Sequence, residues 1–365
     1  MCSAVLQGCP GSTMESLAID VGVLGATGMV GQQFLRLLER HPYFRPVWLA
    51  ASGRSEGRLY REAATWRLGG RPPGVIEGRH VEACTPGKGP RLVFSALDAA
   101  AAADLEPAFA SAGHIVVSNA RSFRMLDDVP LLIPEVNPDH LALIDVQRRE
   151  RGWRGAIVTN PNCSVVALAM ALAPLRPFGI RSVLTTTMQA ISGAGYPGVP
   201  SFDIVGNVIP EIGGGEEEKI ETEANKILGT LSAGRVTPLP AVVSAQTNRV
   251  PVVDGHTLTV AVSMEGSPGV EVVARAMRTW RGRPQQLRLP SAPESPIDVI
   301  DEPFRPQPRL DAERGGGMTV SVGRIRACPV LGIKFVALAH NTIRGAAGAA
   351  ILNAELMQAE GLLED

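Results

Sequence analysis

The sequence has little net charge and few aromatic side chains: 35 basic residues stand against 36 acidic ones, a net charge of −1 at neutral pH, and aromatics make up 4% of 365 residues. No broad field of one sign is available to draw in nucleic acid or an anionic membrane surface, so the expected partners are small molecules and further copies of the chain. No apolar run reaches the ~18 to 20 residues that span a bilayer. Met1 to Ala18 lacks the basic start and continuous apolar core of a secretory signal, and residues 1–18 read as a disordered extension. The five cysteines (Cys2, Cys9, Cys84, Cys163 and Cys328) form an odd, scattered set without a CxxC pair. That argues against a disulfide framework or a metal site, and for a reducing, cytoplasmic setting. No internal repeat is visible.

What the chain does have is apolar residues, 45% of the total, enough for two domains with real cores. The most informative stretch is Asn160-Pro161-Asn162-Cys163-Ser164, between the strand-like Ile157-Val158-Thr159 and an alanine-rich helical run. A cysteine where a helix begins faces unpaired N–H groups and the positive end of the helix dipole. Cys163 is therefore expected to lose its proton near neutral pH and to act as a nucleophile. The competing reading is a buried cysteine packed as a small hydrophobe.

A short β-prone run, Ala18 to Leu24, leads into Gly25-Ala26-Thr27-Gly28-Met29-Val30-Gly31 and then an amphipathic helix, Gln32 to Glu39. Strand, glycine turn and helix together predict a dinucleotide site, with Gly25, Thr27, Gly28, Met29 and Val30 offering backbone N–H groups to a diphosphate. The spacing is GxxGxxG rather than GxGxxG, which alone also fits a purely structural turn. The second strand, Pro46 to Ala51, ends in Ser52-Gly53-Arg54-Ser55. An NAD site would place an acidic residue there; two hydroxyls and a guanidinium suit the 2′-phosphate of NADP instead.

Further strands are expected at Leu92 to Ser95 and Ile115 to Ser118, separated by a helix from Ala99 to Ser111. This alternation predicts an α/β fold, a Rossmann-type doubly wound parallel sheet up to about residue 160. Arg124, in the loop leaving the carboxyl end of a strand, is a candidate anion clamp. Beyond Cys163 the pattern becomes β-rich (Val183 to Gln189, Thr257 to Ser263, Met318 to Val322, Phe335 to Ala339), predicting an α+β domain with a mostly antiparallel sheet. Pro290 to Pro308 reads as a long ordered excursion. Glu216-Glu217-Glu218-Lys219 opens a helix, either as a solvated start favoured by the dipole or as a pair of opposite charges, Glu216 and Lys219, for a zwitterionic ligand. Among the six histidines His256, entering a strand after a DG turn and near Arg249, is the one selected for chemistry. His41, His80, His114 and His140 show no chemical partner in the sequence.

Read together, GATGMVG (Gly25 to Gly31), ASGRSEG (Ala51 to Gly57), NPNCS (Asn160 to Ser164), QAISGAGYPGVPS (Gln189 to Ser201), EEEKIETE (Glu216 to Glu223), RVPVVDGH (Arg249 to His256) and HNTIRGAAG (His340 to Gly348) resemble aspartate-β-semialdehyde dehydrogenase, in its archaeal and fungal branch. The resemblance spans about residues 18 to 362. It implies a dinucleotide-binding domain of residues 19–161 and 341–365, and a catalytic and dimerisation domain of residues 162–340. The implied reaction is reversible, NADPH-dependent reductive dephosphorylation of L-aspartyl-4-phosphate to L-aspartate-4-semialdehyde, in lysine, methionine and threonine synthesis.

By the same resemblance Cys163 attacks the acyl phosphate to form a thioester, His256 is the general acid/base with a near-neutral pKa, and Gln189 orients the substrate. Arg249 would grip the α-carboxylate and Glu216 the α-ammonium, while Arg124, Asn162 and Lys219 hold phosphate. Ser95 would also line the cofactor site, and Ser192, Gly193 and Asn341 would meet the nicotinamide end. A homodimer or homotetramer is implied. Two features depart from the pattern: the N-terminal extension, and Gln246-Thr247-Asn248 before Arg249. The alternatives are a malonyl-CoA reductase of the same fold, a more distant N-acetylglutamyl-phosphate reductase, and a catalytically silent paralogue.

Overall fold

The computed structural model describes residues 18–364, so the expected N-terminal extension lies, apart from Ala18, outside the described residues. Strands β1 (Ile19–Leu24), β2 (Phe44–Ala51), β3 (Glu82–Ala83), β4 (Leu92–Ser95), β5 (Ile115–Ser118) and β6 (Ala156–Thr159) form one parallel sheet in the order 3-2-1-4-5-6. The order reverses between β1 and β4, so a crevice opens beyond their carboxyl ends, the usual place for a ligand in such a sheet. Strands β4, β5 and β6 are buried at every position because helices cover both faces, which is why they read as unbroken apolar runs.

The second sheet is built from β7 (Ile180–Gln189) and β8 (Ile209–Pro210), then, past a small hairpin of β9 (Thr230–Ser232) and β10 (Arg235–Thr237), from β11 (Val242–Arg249), β12 (His256–Met264), β13 (Ile297–Ile300), β14 (Val320–Cys328) and β15 (Gly332–Ala339). Its order is 13-14-15-12-7-11-8. Strands 7 and 11 and strands 13 and 14 run parallel and the other neighbours antiparallel, which agrees with the mostly antiparallel expectation. The expected proline-rich excursion contains β13, a four-residue edge strand between prolines, too short to read from periodicity. The strand expected from Met318 starts two residues later, because Met318 packs into the core of the first sheet.

Two helices fasten the halves together. The helix Cys163–Leu172 is buried at every residue from Ser164 to Leu172 and belongs to the core of the second sheet, together with Val183, Leu258, Val260 and Ala337. The last helix, Gly348–Ala359, returns to the first sheet and packs Ile351, Leu352 and Leu356 with Val21, Phe34 and Phe94. Just before it, Arg344 forms a two-pronged ion pair with Glu135 (Nη1 to Oε1 2.8 Å, Nη2 to Oε2 2.7 Å), with both side chains fully enclosed.

Long-range partners also appear for histidines that looked unpartnered. His41 Nε2 lies 2.7 Å from Glu355 of the last helix, and His114 Nδ1 lies 2.8 Å from the Pro90 carbonyl. They are structural anchors. Removing one member of the Arg344–Glu135 pair leaves a buried charge without a partner. R344M is expected to lose about 3–5 kcal/mol of unfolding free energy in a urea titration, with E135L/R344M recovering much of it. A loss below about 1 kcal/mol for R344M would show that the pair does not hold the last helix in place.

Candidate active site

Cys163 is the first residue of its helix, and the sequence before it builds the cap. The Asn162 carboxamide oxygen accepts the N–H groups of Ser164 (2.9 Å) and Val165 (3.3 Å), as an N-cap side chain does. The DG turn starts β12 at His256, and its ring reaches the sulfur: Sγ and Nε2 are 3.1 Å apart. The other ring nitrogen, Nδ1, accepts the Ala190 N–H at 3.0 Å. A nitrogen that accepts carries no proton, so the neutral ring holds its proton on Nε2, against Cys163.

Burial shapes both groups. It pushes the Cys163 thiol up to about 12, with the Glu216 charge adding to the rise and Arg124, Arg249 and the backbone N–H opposing it. It pulls His256 down to about 3, and the positive charges of Arg249 and His340 push the same way. In the ligand-free protein burial thus opposes both the expected thiolate and the expected near-neutral histidine, although the half-buried thiol stands at a helix N-terminus.

The helix Glu216–Ile227 supplies a charged face to this centre. Glu216 accepts Asn162 Nδ2 (2.7 Å), Gln189 Nε2 (3.2 Å) and Lys219 Nζ (3.0 Å). Burial alone would raise its pKa, but the Lys219 charge and these hydrogen bonds outweigh that and hold the carboxyl below its ordinary range. Two turns further on, Glu223 takes Arg124 Nη1 (3.0 Å) and the Asn162 N–H (2.7 Å). Arg124 also donates to the Asn119 carbonyl at 2.8 Å, while its Nε is enclosed without a partner. Arg249 is buried and donates to the Ala190 carbonyl at 2.7 Å.

Cys163, His256, Gln189, Arg249, Glu216, Lys219, Arg124 and Asn162 therefore come together. Asn162 does so with both ends of its amide committed, one to the cap and one to Glu216. Asn341 is near as well, donating to Ser192 Oγ (2.7 Å) and accepting the Gly255 N–H (2.8 Å), and so ties the segment before the last helix to the loop after β7.

The dinucleotide site lies beside this centre. A cavity of about 790 Å³ is lined by Gly25, Thr27, Gly28, Met29, Val30, Ser52 and Arg54, as read from sequence. The helix Met29–Leu38 begins without a side-chain cap, so its first N–H groups are open to an anion. A Cβ on Gly31 would sit 2.2 Å from the Gly25 carbonyl, so only glycine lets the helix close onto the turn. These residues fit a dinucleotide. Ser95, Ser192, Gly193 and Asn341 are not on its lining: Ser95 is fully enclosed at the end of β4, where its neighbours Ala96 and Leu97 line the cavity. Ser55, buried under its own loop, is likewise off the lining. Arg67, Cys84, Asp98 and Tyr196 line it without having been singled out from the sequence. Among the described residues no cluster of histidine, cysteine and acidic groups could hold a metal ion, and no helix is long and apolar enough to cross a membrane.

A parallel-sheet nucleotide domain abutting a mixed sheet, with a half-buried cysteine against a buried histidine at their seam, defines an oxidoreductase of the semialdehyde dehydrogenase class. Residues 20–144 match the family model "Semialdehyde dehydrogenase, NAD binding domain" and residues 172–344 match "Semialdehyde dehydrogenase, dimerisation domain". The chain is 48% identical over 352 residues to the aspartate-semialdehyde dehydrogenase of Archaeoglobus fulgidus, covering 94% of this chain and 99% of that one. It is 51% identical over 344 residues to that of Methanothermobacter thermautotrophicus, covering 93% and 99%. The crystal structure of aspartate semialdehyde dehydrogenase with NADP from Candida albicans matches with a TM-score of 0.88 at 42% identity, over 94% of this chain and 100% of that chain. The chain belongs to the aspartate-semialdehyde dehydrogenase family.

Two measurements probe this geometry. With the thiol pushed up to about 12 and the imidazole down to about 3, iodoacetamide alkylation of Cys163 in the ligand-free protein should be slow near pH 7. Its rate should climb about tenfold per pH unit up to about pH 9 without a histidine inflection. A rate already level from about pH 6 upward would reveal a thiolate–imidazolium pair and contradict this picture. The second probe is Gly345, whose backbone faces the nucleophile: a Cβ there would lie 2.7 Å from Cys163 Cβ. G345A should displace the sulfur and lower kcat by up to about 100-fold. A wild-type kcat would show that the contact does not set the position of the sulfur.

Proposed function

We propose that the chain catalyses the reversible reductive dephosphorylation of L-aspartyl-4-phosphate to L-aspartate-4-semialdehyde, with NADP as its dinucleotide and a thioester on Cys163 as the covalent intermediate. The placement within lysine, methionine and threonine synthesis follows from that substrate. The observation that carries the reading is the 3.1 Å approach of Cys163 Sγ and His256 Nε2 inside a ring of Arg124, Arg249, Lys219 and Glu216.

In this mechanism the sulfur bonds to the acyl carbon as its S–H bond breaks, the carbon–oxygen bond to phosphate breaks, and the phosphate leaves with the bonding electrons and takes up the thiol proton. Arg124 and Lys219 neutralise the phosphate, with Asn162 presenting the helix start; the unpartnered Nε of Arg124 supports this assignment. Arg249 holds the α-carboxylate, Glu216 the α-ammonium, and Gln189 orients the acyl group. The acid–base role of His256 is carried at Nε2, whose N–H hydrogen-bonds the sulfur and then the oxygen of the hemithioacetal; as that oxygen becomes the aldehyde carbonyl the carbon–sulfur bond breaks and the sulfur regains a proton from solvent. NADP, when bound, supplies the hydride chemistry; Gly25, Thr27, Gly28, Met29 and Val30 would hold it at the turn and Ser52 and Arg54 at the 2′-phosphate. Ser192, Gly193 and Asn341, tied together beside the sulfur, would meet its reactive end.

The proposed domains are residues 19–161 with 341–365, and residues 162–340. A homodimer or homotetramer in the cytoplasm is proposed, built on the open face of the second sheet, where Leu184 is half exposed beside a groove of about 420 Å³.

The test is a steady-state assay with aspartate semialdehyde, phosphate and NADP, followed by NADPH absorbance. Turnover that requires phosphate and vanishes in C163A is expected, as is a mass increase on Cys163 when the acyl phosphate is supplied without reductant. Robust turnover of malonyl-CoA in place of the amino-acid substrate, or activity surviving in C163A, would overturn the reading.

A further inference from the structure

Two side chains in the dinucleotide cavity take no part in the mechanism above. Arg67 comes from the segment between β2 and β3, and Tyr196 from the loop after β7 that also carries Ser192 and Gly193. Though 129 positions apart in the chain, they meet across the seam: the Arg67 guanidinium carbon lies 3.4 Å from the centre of the Tyr196 ring. Both are solvent-exposed, with Tyr196 62% exposed. Among the described residues no carboxylate pairs with Arg67, so its charge faces the cavity uncompensated.

The main chain at Arg67 is firmly placed. Gln32, buried in the first turn of the helix Met29–Leu38, accepts the Arg67 N–H at 2.8 Å and donates to the Thr65 carbonyl at 2.9 Å. The same amide nitrogen donates to the Thr27 carbonyl, 3.2 Å away in the glycine turn. One side chain thus pins the segment carrying Arg67 to the turn and to the uncapped start of the helix. The anchor lies at the turn, where a dinucleotide carries its diphosphate, and not at the end of β2, where Ser52 and Arg54 stand.

We propose that Arg67 binds the diphosphate of the dinucleotide and that Tyr196 is the shelf that holds its guanidinium extended across the seam. A planar guanidinium can stack on a ring through its face while its edge donates to phosphate oxygens, a combination lysine cannot supply. The contact joins the nucleotide domain to the loop that carries Ser192 and Gly193. Filling the nucleotide site therefore also steadies that loop beside Cys163.

This inference rests on NADP being the dinucleotide, and direct binding tests it apart from the chemistry. NADPH and NADH are titrated separately by nicotinamide fluorescence into the wild type, R67A, R67K, Y196F, Y196A and R54A. R67A should weaken both dinucleotides by about 10-fold and to the same extent, the loss of one charge-assisted contact to a group they share. R67K and Y196A should fall between, and Y196F, which keeps the ring, should keep the affinity. R54A should weaken NADPH far more than NADH. In steady state R67A should raise KM for NADP by more than it lowers kcat.

Loss of NADPH affinity alone in R67A would move Arg67 to the 2′-phosphate and overturn the assignment, and so would R67A binding both dinucleotides as the wild type does. If the wild type binds NADPH but does not turn over aspartate semialdehyde, the proposed function fails while the role of Arg67 stands. If it binds neither dinucleotide, both fail.

Discussion

Glu223 divides its carboxylate between two parts of the molecule that must not move apart. One oxygen takes the guanidinium of Arg124, and the other takes the main-chain N–H of Asn162, the residue before the nucleophile. A carboxylate this enclosed, 1% exposed, is tolerable only with charged and hydrogen-bonded partners, so the loop and the nucleophile turn are held by the cost of separating from it. The same helix continues the arrangement at its far end, where Lys226 donates to the carbonyls of Arg124, Leu126 and Val129 at 2.7, 2.7 and 3.0 Å. Burial lowers Lys226 to about 8 against the pull of Asp127, Asp128 and Glu223. Glu216, Lys219, Glu223 and Lys226 recur three or four residues apart and so share one helix face. A single face of the second domain thus fixes the cap and the arginine loop and carries the Glu216 carboxylate.

That arrangement also bears on how the thiol is activated. Glu216 is the second contributor, after burial, to the raised Cys163, and in the ligand-free protein three donors already converge on it. Under the proposed function the substrate brings an ammonium to this carboxylate, which cancels the negative charge that the sulfur senses. Its phosphate brings the opposite charge, but against Arg124 and Lys219. Because Arg124 and Arg249 lower the thiol and would be engaged by the phosphate and the α-carboxylate, the ammonium offsets only the Glu216 contribution. A thiol held high in the ligand-free protein reacts slowly with stray electrophiles, and under the proposed function the Glu216 carboxylate gives the site a preference for substrates carrying an amine.

How far the sequence anticipates this depends on the range of each interaction. Strands β4 and β5 and the helix Ala99–Ser111 stand where the apolar runs and the Asp98 cap place them, because enclosed parallel strands and N-caps are local signals. Cys163 and His256 were legible for the same reason: one follows a strand at a helix start, the other follows a DG turn. The EEEK start of the Glu216 helix was ambiguous, since acidic first turns are usual on solvated helices. The decisive fact, that its face meets Asn162 and Arg124, is tertiary. Ser95 was misplaced because a strand-end serine reads the same whether it points at a ligand or into the core. Arg67 carried no local signal, and Tyr196 only its place within QAISGAGYPGVPS, since their contact exists only once two domains are packed.

The closeness of that packing explains the glycines around the site. A Cβ on Gly193 would meet Arg249 Nη1 at 2.9 Å and the His256 ring at 3.0 Å, while Gly345 presses on Cys163 from the opposite side. Gly345 lies in a π-helical turn, Ile343–Ala347, in which its N–H reaches back to the His340 carbonyl at 3.0 Å. The wider turn lets the chain swing in toward the sulfur before the regular helix begins. Main chain without side chains therefore walls the cysteine–histidine pair on both flanks. With backbone in contact on each side and a close-packed interior behind, the sulfur and the imidazole have nowhere to relax to. Their 3.1 Å separation is thus imposed by the fold rather than by the strength of one thiol–imidazole hydrogen bond.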